Sequence, residues 1–190
     1  MRITSRYSMG KNDRWFTPSW LVELSRQVLG EIDFDPATEE RANTTVQARQ
    51  FLWSGGENYS AWTLRHRIDK SEARSVLCNP PNGKLGRKPM PAVFWENLLR
   101  YRDEGHLKHA IFIGFNSSIL YTSQDAYEPV TNFPMCFPRK RIAFVNGNTG
   151  EPETSPRHDN VIVYVGGTQN HPLEFRDVFE DLGACINVRV

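Results

Sequence analysis

Ser75-Val76-Leu77-Cys78-Asn79-Pro80-Pro81-Asn82-Gly83 is the stretch on which the reading of the fold turns. Its first four residues form a short apolar run, as expected of a strand buried in a sheet. Asn, Pro and Gly then switch the chain abruptly to turn chemistry. Read alone, the segment fits an ordinary tight turn. Its neighbours change that reading. Upstream, Glu31-Ile32-Asp33-Phe34-Asp35 reads as a second short strand, ended by Pro36. Before it, Thr17 is a good N-cap and Pro18 a good first helical residue. Leu21, Leu24, Val28 and Leu29 give that helix an apolar face, and Gly30 ends it. A weaker helical pattern covers Ala37 to Ala48, and Ser54 to Lys70 reads as loop.

Downstream, a Pro- and Gly-rich loop runs to Pro91, and a helix is expected from Ala92 to Arg102. Its apolar side holds Phe94, Trp95, Leu98 and Leu99, so Trp95 reads as core. Ala110 to Phe115 is an apolar strand, and Ser117 to Ala126 a further helix. Arg141 to Val145 and Val161 to Val165 read as strands joined by a long polar loop. A helix from Pro172 to Leu182 and a strand from Ala184 to Val190 close the chain. Strands alternating with helices predict an α/β fold with a wound sheet and an antiparallel C-terminal edge. Residues 1–12 are expected to be a flexible arm and 13–190 a single domain. Ligands of such sheets sit at the carboxyl ends of strands, so the loops after Asp35 and Asn79 are expected on one face.

The bulk properties narrow the class. The chain has 190 residues, 39% hydrophobic and 24% charged, which suits a globular protein. No apolar run approaches the roughly 20 residues of a membrane span. Met1 to Arg6 show no secretory pattern, so a cytoplasmic setting is expected. Cys78, Cys136 and Cys185 are odd in number and widely spaced, which predicts reduced thiols rather than a disulfide framework. The five histidines lack metal-pair spacing, and no metal is expected. Net charge is only +1. Lys84, Arg87 and Lys88 nevertheless share one loop, and Arg139-Lys140-Arg141 form a second cluster. Each suits either phosphate contact or a solvated surface.

The Asn79 segment offers a specific chemistry. The asparagine oxygen and the next backbone carbonyl are two acceptors on one loop. Two successive prolines stiffen the loop and remove competing N–H donors. Such a pair can hold both hydrogens of an aromatic amino group, drawing its nitrogen toward tetrahedral geometry and freeing the lone pair.

Val76-Leu77-Cys78-Asn79-Pro80-Pro81 resembles the catalytic motif of amino-methyltransferases. The chain as a whole resembles the phage-type DNA N6-adenine methyltransferase family. The likeness rests on Asp13 to Pro18, Gly30 to Ala37, Ala42-Asn43, Trp62, the Asn79 motif, Trp95 and Arg141 to Phe144. It implies a Rossmann-like sheet of the S-adenosylmethionine-dependent methyltransferase type. It implies methyl transfer from S-adenosylmethionine to adenine N6 in DNA, and a phage or prophage origin. It also implies catalysis at Asn79, Pro80, Pro81 and Asn82, and cofactor contacts from Trp15, Thr17, Pro18, Asp35, Pro36 and Ala37. DNA contacts fall to Lys84, Arg87, Lys88, Arg139, Lys140 and Arg141.

Two departures stand out. No Gly-x-Gly follows Asp35, where the chain continues Thr38-Glu39-Glu40-Arg41. Position 82 is Asn where the wider class has an aromatic residue to stack on the extruded base. Phe115 or Tyr59 is the expected substitute. Asp35 itself also fits an N-cap for a helix starting near Ala37, and Asp33 competes with it as the cofactor acid. Three alternatives remain: a non-catalytic nucleic-acid-binding relative, an N4-cytosine methyltransferase, and a metal-dependent nuclease using Asp33, Asp35 and Glu39. A zinc deaminase is excluded, because His-x-Glu and Pro-Cys-x-x-Cys are missing.

Overall fold

A computed structural model describes residues 14–53, 74–114, 117–166 and 172–186. The expectations for the N-terminal arm, the loop from Ser54 to Lys70, Tyr59, Trp62 and Phe115 lie outside those residues.

The described chain is a mixed α/β fold. In chain order it contains β1 (Trp15–Phe16), α1 (Ser19–Leu29), β2 (Phe34–Thr38), α2 (Glu40–Val46), β3 (Gln50–Trp53) and β4 (Arg74–Cys78). A small hairpin, β5 (Lys84–Leu85) and β6 (Lys88–Pro89), leads into α3 (Met90–Asp103). Next come β7 (Leu107–Gly114), α4 (Ile119–Thr122), β8 (Met135–Pro138), β9 (Val145–Asn146), β10 (Val161–Gly166), α5 (Pro172–Phe179) and β11 (Gly183–Ile186).

Seven strands form one sheet in the order β11-β8-β10-β7-β4-β2-β3. β3, β2, β4 and β7 are parallel. β10 runs antiparallel to both β7 and β8, and β11 antiparallel to β8. The antiparallel portion is therefore larger than the expected C-terminal pair. From β2 the chain steps outward to β3, then returns to the other side of β2 as β4 and continues to β7. The strand order reverses between β2 and β4, and this opens a crevice at their carboxyl ends.

Side-chain alternation builds an apolar layer on each sheet face. Val76, Cys78, Ala110, Phe112, Val161 and Val163 face the layer of α3. Leu77, Ile111, Ile113, Ile162 and Tyr164 face the layer of α1 and α5. A central strand covered on both faces needs a continuous apolar run, which is what β7 shows. α1 buries Leu21, Val22, Val28 and Leu29. Gly30 takes φ 70° and returns its N–H to the Arg26 carbonyl, ending the helix as expected. Trp95 is core: it is fully buried, meets Phe112 and Phe133 edge-on, and donates its indole N–H to the Glu128 carbonyl at 2.9 Å.

Several expectations are corrected. Thr17 does not cap α1, which has no side-chain cap. The Pro18 carbonyl opens the helix by accepting from Leu21 and Val22. β2 begins at Phe34 and runs through Pro36 to Thr38. A register shift against β3 between Asp35 and Thr38 accommodates the proline, which cannot donate to a ladder. Helix α2 begins at Glu40, so Asp35 is not its N-cap. β3 and β8 were not expected. Arg141 to Phe144 is not a strand, and α4 is one turn where a longer helix was expected. Cys78, Cys136 and Cys185 are free thiols, with Cys136 opposite Cys185 across β8 and β11. Among the described residues, no helix is long and apolar enough to cross a membrane.

β11 lies against β8 so closely that a Cβ on Gly183 would come within 1.9 Å of the Phe137 carbonyl oxygen. Gly183→Ala is expected to lower stability by about 2 kcal/mol or more, through backbone displacement at this edge. Equilibrium urea unfolding of the two proteins measures it.

Candidate active site

The crevice between β2 and β4 is walled by four segments. β2 and the residue after it supply Asp35, Ala37, Thr38 and Glu39. The loop after β4 supplies Asn79, Pro80, Pro81 and Asn82, while α2 supplies Ala42 and Val46. Arg14, Trp15, Phe16 and Thr17 close the fourth side. This last segment is held in place by β1–β9 pairing, Trp15 opposite Asn146 and Phe16 opposite Val145. Eight residues expected at the site thus line one cleft: Trp15, Thr17, Asp35, Ala37, Asn79, Pro80, Pro81 and Asn82. Pro18 and Pro36 are buried nearby but do not line it; they shape the backbone on either side.

Asn79 follows directly on the buried strand end at Cys78 and is half-buried. Its Nδ2 donates to the Thr17 hydroxyl at 3.0 Å. An amide whose nitrogen is engaged this way has its rotation fixed, and its oxygen remains an acceptor. Pro80 is buried and Pro81 half-buried, so the loop is stiff both covalently and by packing. Thr17 is therefore a partner of Asn79 rather than a helix cap.

Asp35 is 3% exposed. Burial pushes its carboxyl up to about 7, although the Ala37 N–H, donating to Oδ1 at 2.8 Å, pulls the other way. Burial drives the Cys78 thiol well above its usual range, and the nearby Asp35 carboxyl adds to the effect. Asp33 lies at the other end of the strand. It accepts from the Ser75 N–H at 3.0 Å and pairs with Arg49 at 3.4 Å, outside the cleft. The structure thus separates the two acids that sequence left undecided.

The sequence did not reveal the pair of Arg14 and Glu39. Both line the cleft, and the guanidinium meets Glu39 through Nε and Nη2. Glu39 is 6% exposed and would be costly to bury without that partner. The third Arg14 nitrogen, Nη1, reaches Asn148 Oδ1 at 3.2 Å. The one available signal was the Glu39-Glu40 step directly after a strand end.

The basic residues occupy two places. Lys84 and Arg87 are exposed on the hairpin that follows Asn82, and Lys88 pairs with Glu96. β8 is parallel to β7, so Arg139-Lys140-Arg141 leave the sheet on the same edge as the cleft. Arg139 bonds the Asp181 carbonyl and Arg141 the Pro156 carbonyl, while Lys140 is exposed. Among the described residues there is no group of three side chains suited to a metal ion. No protein-family model matches the chain, and comparison with curated proteins gives no match either.

Asp35 sets a pH dependence of stability. Its folded pKa lies above its unfolded value of 3.8, so between about 4 and 7 the folded chain holds more protons than the unfolded one. Stability therefore falls as pH rises through this window. Asp35→Asn keeps an acceptor for Ala37 and removes the charge. Its stability advantage over wild type should grow by about 2–3 kcal/mol from pH 5 to pH 8. Urea unfolding at the two pH values checks this.

Proposed function

We propose that the protein is an S-adenosylmethionine-dependent methyltransferase that acts on the N6 amino group of adenine in DNA. The observation that carries this reading is the meeting of Asp35, at the end of β2, with Asn79-Pro80-Pro81, at the end of β4, in one cleft. The strand reversal between β2 and β4 supports a Rossmann-like wound sheet, in which a crevice of this kind receives the cofactor.

The cleft's donor set fits that group. Asp35 is a buried acid whose Oδ1 is bonded by a single N–H, which suits a ribose hydroxyl or an ammonium. Ala37, Ala42, Val46 and Phe16 offer apolar wall to an adenine ring. Asp35 and Ala37 would hold the cofactor, which brings a methyl group already activated on sulfur. The chain's own part is to prepare the nucleophile. The Asn79 oxygen accepts one N6 hydrogen and the Pro80 carbonyl the other. Both bonds strengthen as the nitrogen becomes tetrahedral, so they favour the transition state over the bound base. Thr17 holds the Asn79 amide in the required rotation, which limits reorganisation during the reaction. Lys84 and Arg87, beside the motif, and Arg139 to Arg141, on the same edge, supply positive charge for the DNA backbone.

Transfer of labelled methyl groups from S-adenosylmethionine to unmethylated DNA, followed by nucleoside analysis, should yield N6-methyldeoxyadenosine. Asn79→Ala should lower turnover by on the order of 10²–10³-fold while leaving cofactor affinity within about twofold. A folded Asn79→Ala protein with near-normal turnover would overturn the mechanism. Cofactor or DNA binding without any transfer would point to the non-catalytic alternative.

The hairpin makes a separate prediction. Neutralising Lys84 and Arg87 together should flatten the salt dependence of DNA binding by about 2 units of log–log slope at most. Adding Lys88→Gln should change it less, because Lys88 already pairs with Glu96. Titrations between 50 and 200 mM salt measure both slopes.

A further inference from the structure

Two of the three cysteines stand opposite one another at the outer edge of the sheet. β11 is an edge strand, and its Cys185 pairs in register with Cys136 of the antiparallel β8. Directly opposed residues of such a pair point to the same sheet face, with Cα atoms about 4.5–5.5 Å apart. A disulfide needs about 4.4–6.8 Å, so the backbone already meets its requirement. The side chains agree with the backbone. Both cysteines belong to the apolar layer that holds Phe175 and Phe179 of α5, and the two thiols hydrogen-bond to one another.

The two thiols differ in access. Cys136 is fully buried and donates to the Phe179 carbonyl at 3.5 Å, whereas Cys185 is half-buried. A reagent from solution therefore meets Cys185 first, and Cys136 is left to complete the bond. Burial holds both thiols above their usual range, which keeps them protonated and slow to react at neutral pH. Cys78 takes no part, because it is fully buried in the apolar layer on the opposite sheet face.

The position gives such a bond something to hold. β11 meets β8 at four paired positions, one of them Pro138, which cannot donate. The turn before β11 also carries the start of the basic stretch. The Leu182 carbonyl accepts from the Arg139 N–H at 3.0 Å, and the Asp181 carbonyl from its Nη1 at 3.1 Å. A bond from Cys136 to Cys185 would close a loop of about 50 residues, long enough to restrict the unfolded chain strongly.

We infer that Cys136 and Cys185 are a redox-responsive pair, which closes to a cross-strand disulfide on reaction with a small-molecule disulfide and so locks the edge strand and the turn that carries Arg139. The Cys185 thiolate attacks one sulfur of the reagent and expels the other half. The Cys136 thiolate then attacks the Cys185 sulfur and expels the second half. Two protein thiols are oxidised, the reagent is reduced to two thiols, and the two protons pass to the leaving thiolates. The inference is independent of the methyltransferase reading.

The full chain is exposed to oxidised glutathione at mildly alkaline pH, where thiolates are populated, then quenched with N-ethylmaleimide and mapped by non-reducing peptide mass spectrometry. The expected product has lost two hydrogen atoms, links Cys136 to Cys185, and is alkylated only at Cys78 after unfolding. In Cys136→Ser the reaction should stop at a glutathione adduct on Cys185, and Cys185→Ser should stay unmodified, with circular dichroism confirming both folds. Closure should raise the ratio of folded to unfolded protein by about 10²- to 10³-fold in urea titrations, and dithiothreitol should reverse it. A wild-type chain that keeps its thiols, stops at the glutathione adduct or forms a bond through Cys78 would overturn the inference. So would a Cys136–Cys185 bond that leaves stability unchanged or lowers it.

Discussion

The hydrogen bond from Asn79 to Thr17 is the contact on which the cleft depends. It joins the end of β4 to the segment between β1 and α1, two parts of the chain with no backbone pairing between them. It also sets the rotation of an amide that would otherwise have two near-equivalent faces. In the proposed reaction, activation of the amino group follows from a fixed acceptor beside a fixed backbone carbonyl. The prolines alone could stiffen the loop, but they could not orient the side chain. Thr17, itself buried, is therefore best seen as a positioning residue in the proposed reaction.

The sheet around this contact concentrates opposing electrostatic demands. Apolar layers on both faces exclude water from the strand ends, and this raises the carboxyl of Asp35. The same exclusion would make Glu39 untenable without Arg14. The molecule settles the two acids differently. Glu39 is held against the Arg14 guanidinium, and Asp35, raised to about 7 by burial, accepts the Ala37 N–H on its Oδ1. A group so placed gains most from a partner that brings its own positive charge or hydroxyls. The fixed pair at Glu39 belongs to the wall, and the poised acid to the site.

The parts of the fold legible in the sequence were those with one dominant signal. β4, β7 and β10 are continuous apolar runs because both sides are covered, and α1 and α3 carry a clear apolar stripe. β3 was not legible, because Gln50-Phe51-Leu52-Trp53 is a four-residue strand with a polar start at the sheet edge. β8 was hidden by Pro134 and Pro138, which usually mark the absence of a strand, here tolerated at its ends. Pro36 makes β2 look shorter in sequence than it is, because nothing local announces the register shift that admits it. At the site, Asn79, Asp35 and Thr17 were identifiable from residue type and position. Their mutual arrangement was not, and neither was the Arg14 partnership, since both depend on which strands become neighbours.

The pairing of β1 with β9 has a consequence for how the molecule assembles. Trp15 meets Asn146, so one wall of the cleft is closed by a contact spanning most of the chain. Closing a loop of that length costs entropy before the contact returns anything, and contacts of this span form slowly. A chain emerging from the ribosome presents residues 14–17 early, yet they have no strand to pair with until residue 146 has followed. The parallel core of β2, β3, β4 and β7 has all its strands by residue 114. The parallel half of the sheet and the cleft are thus separated in time: that half can condense first, and the cleft is completed only when β9 arrives.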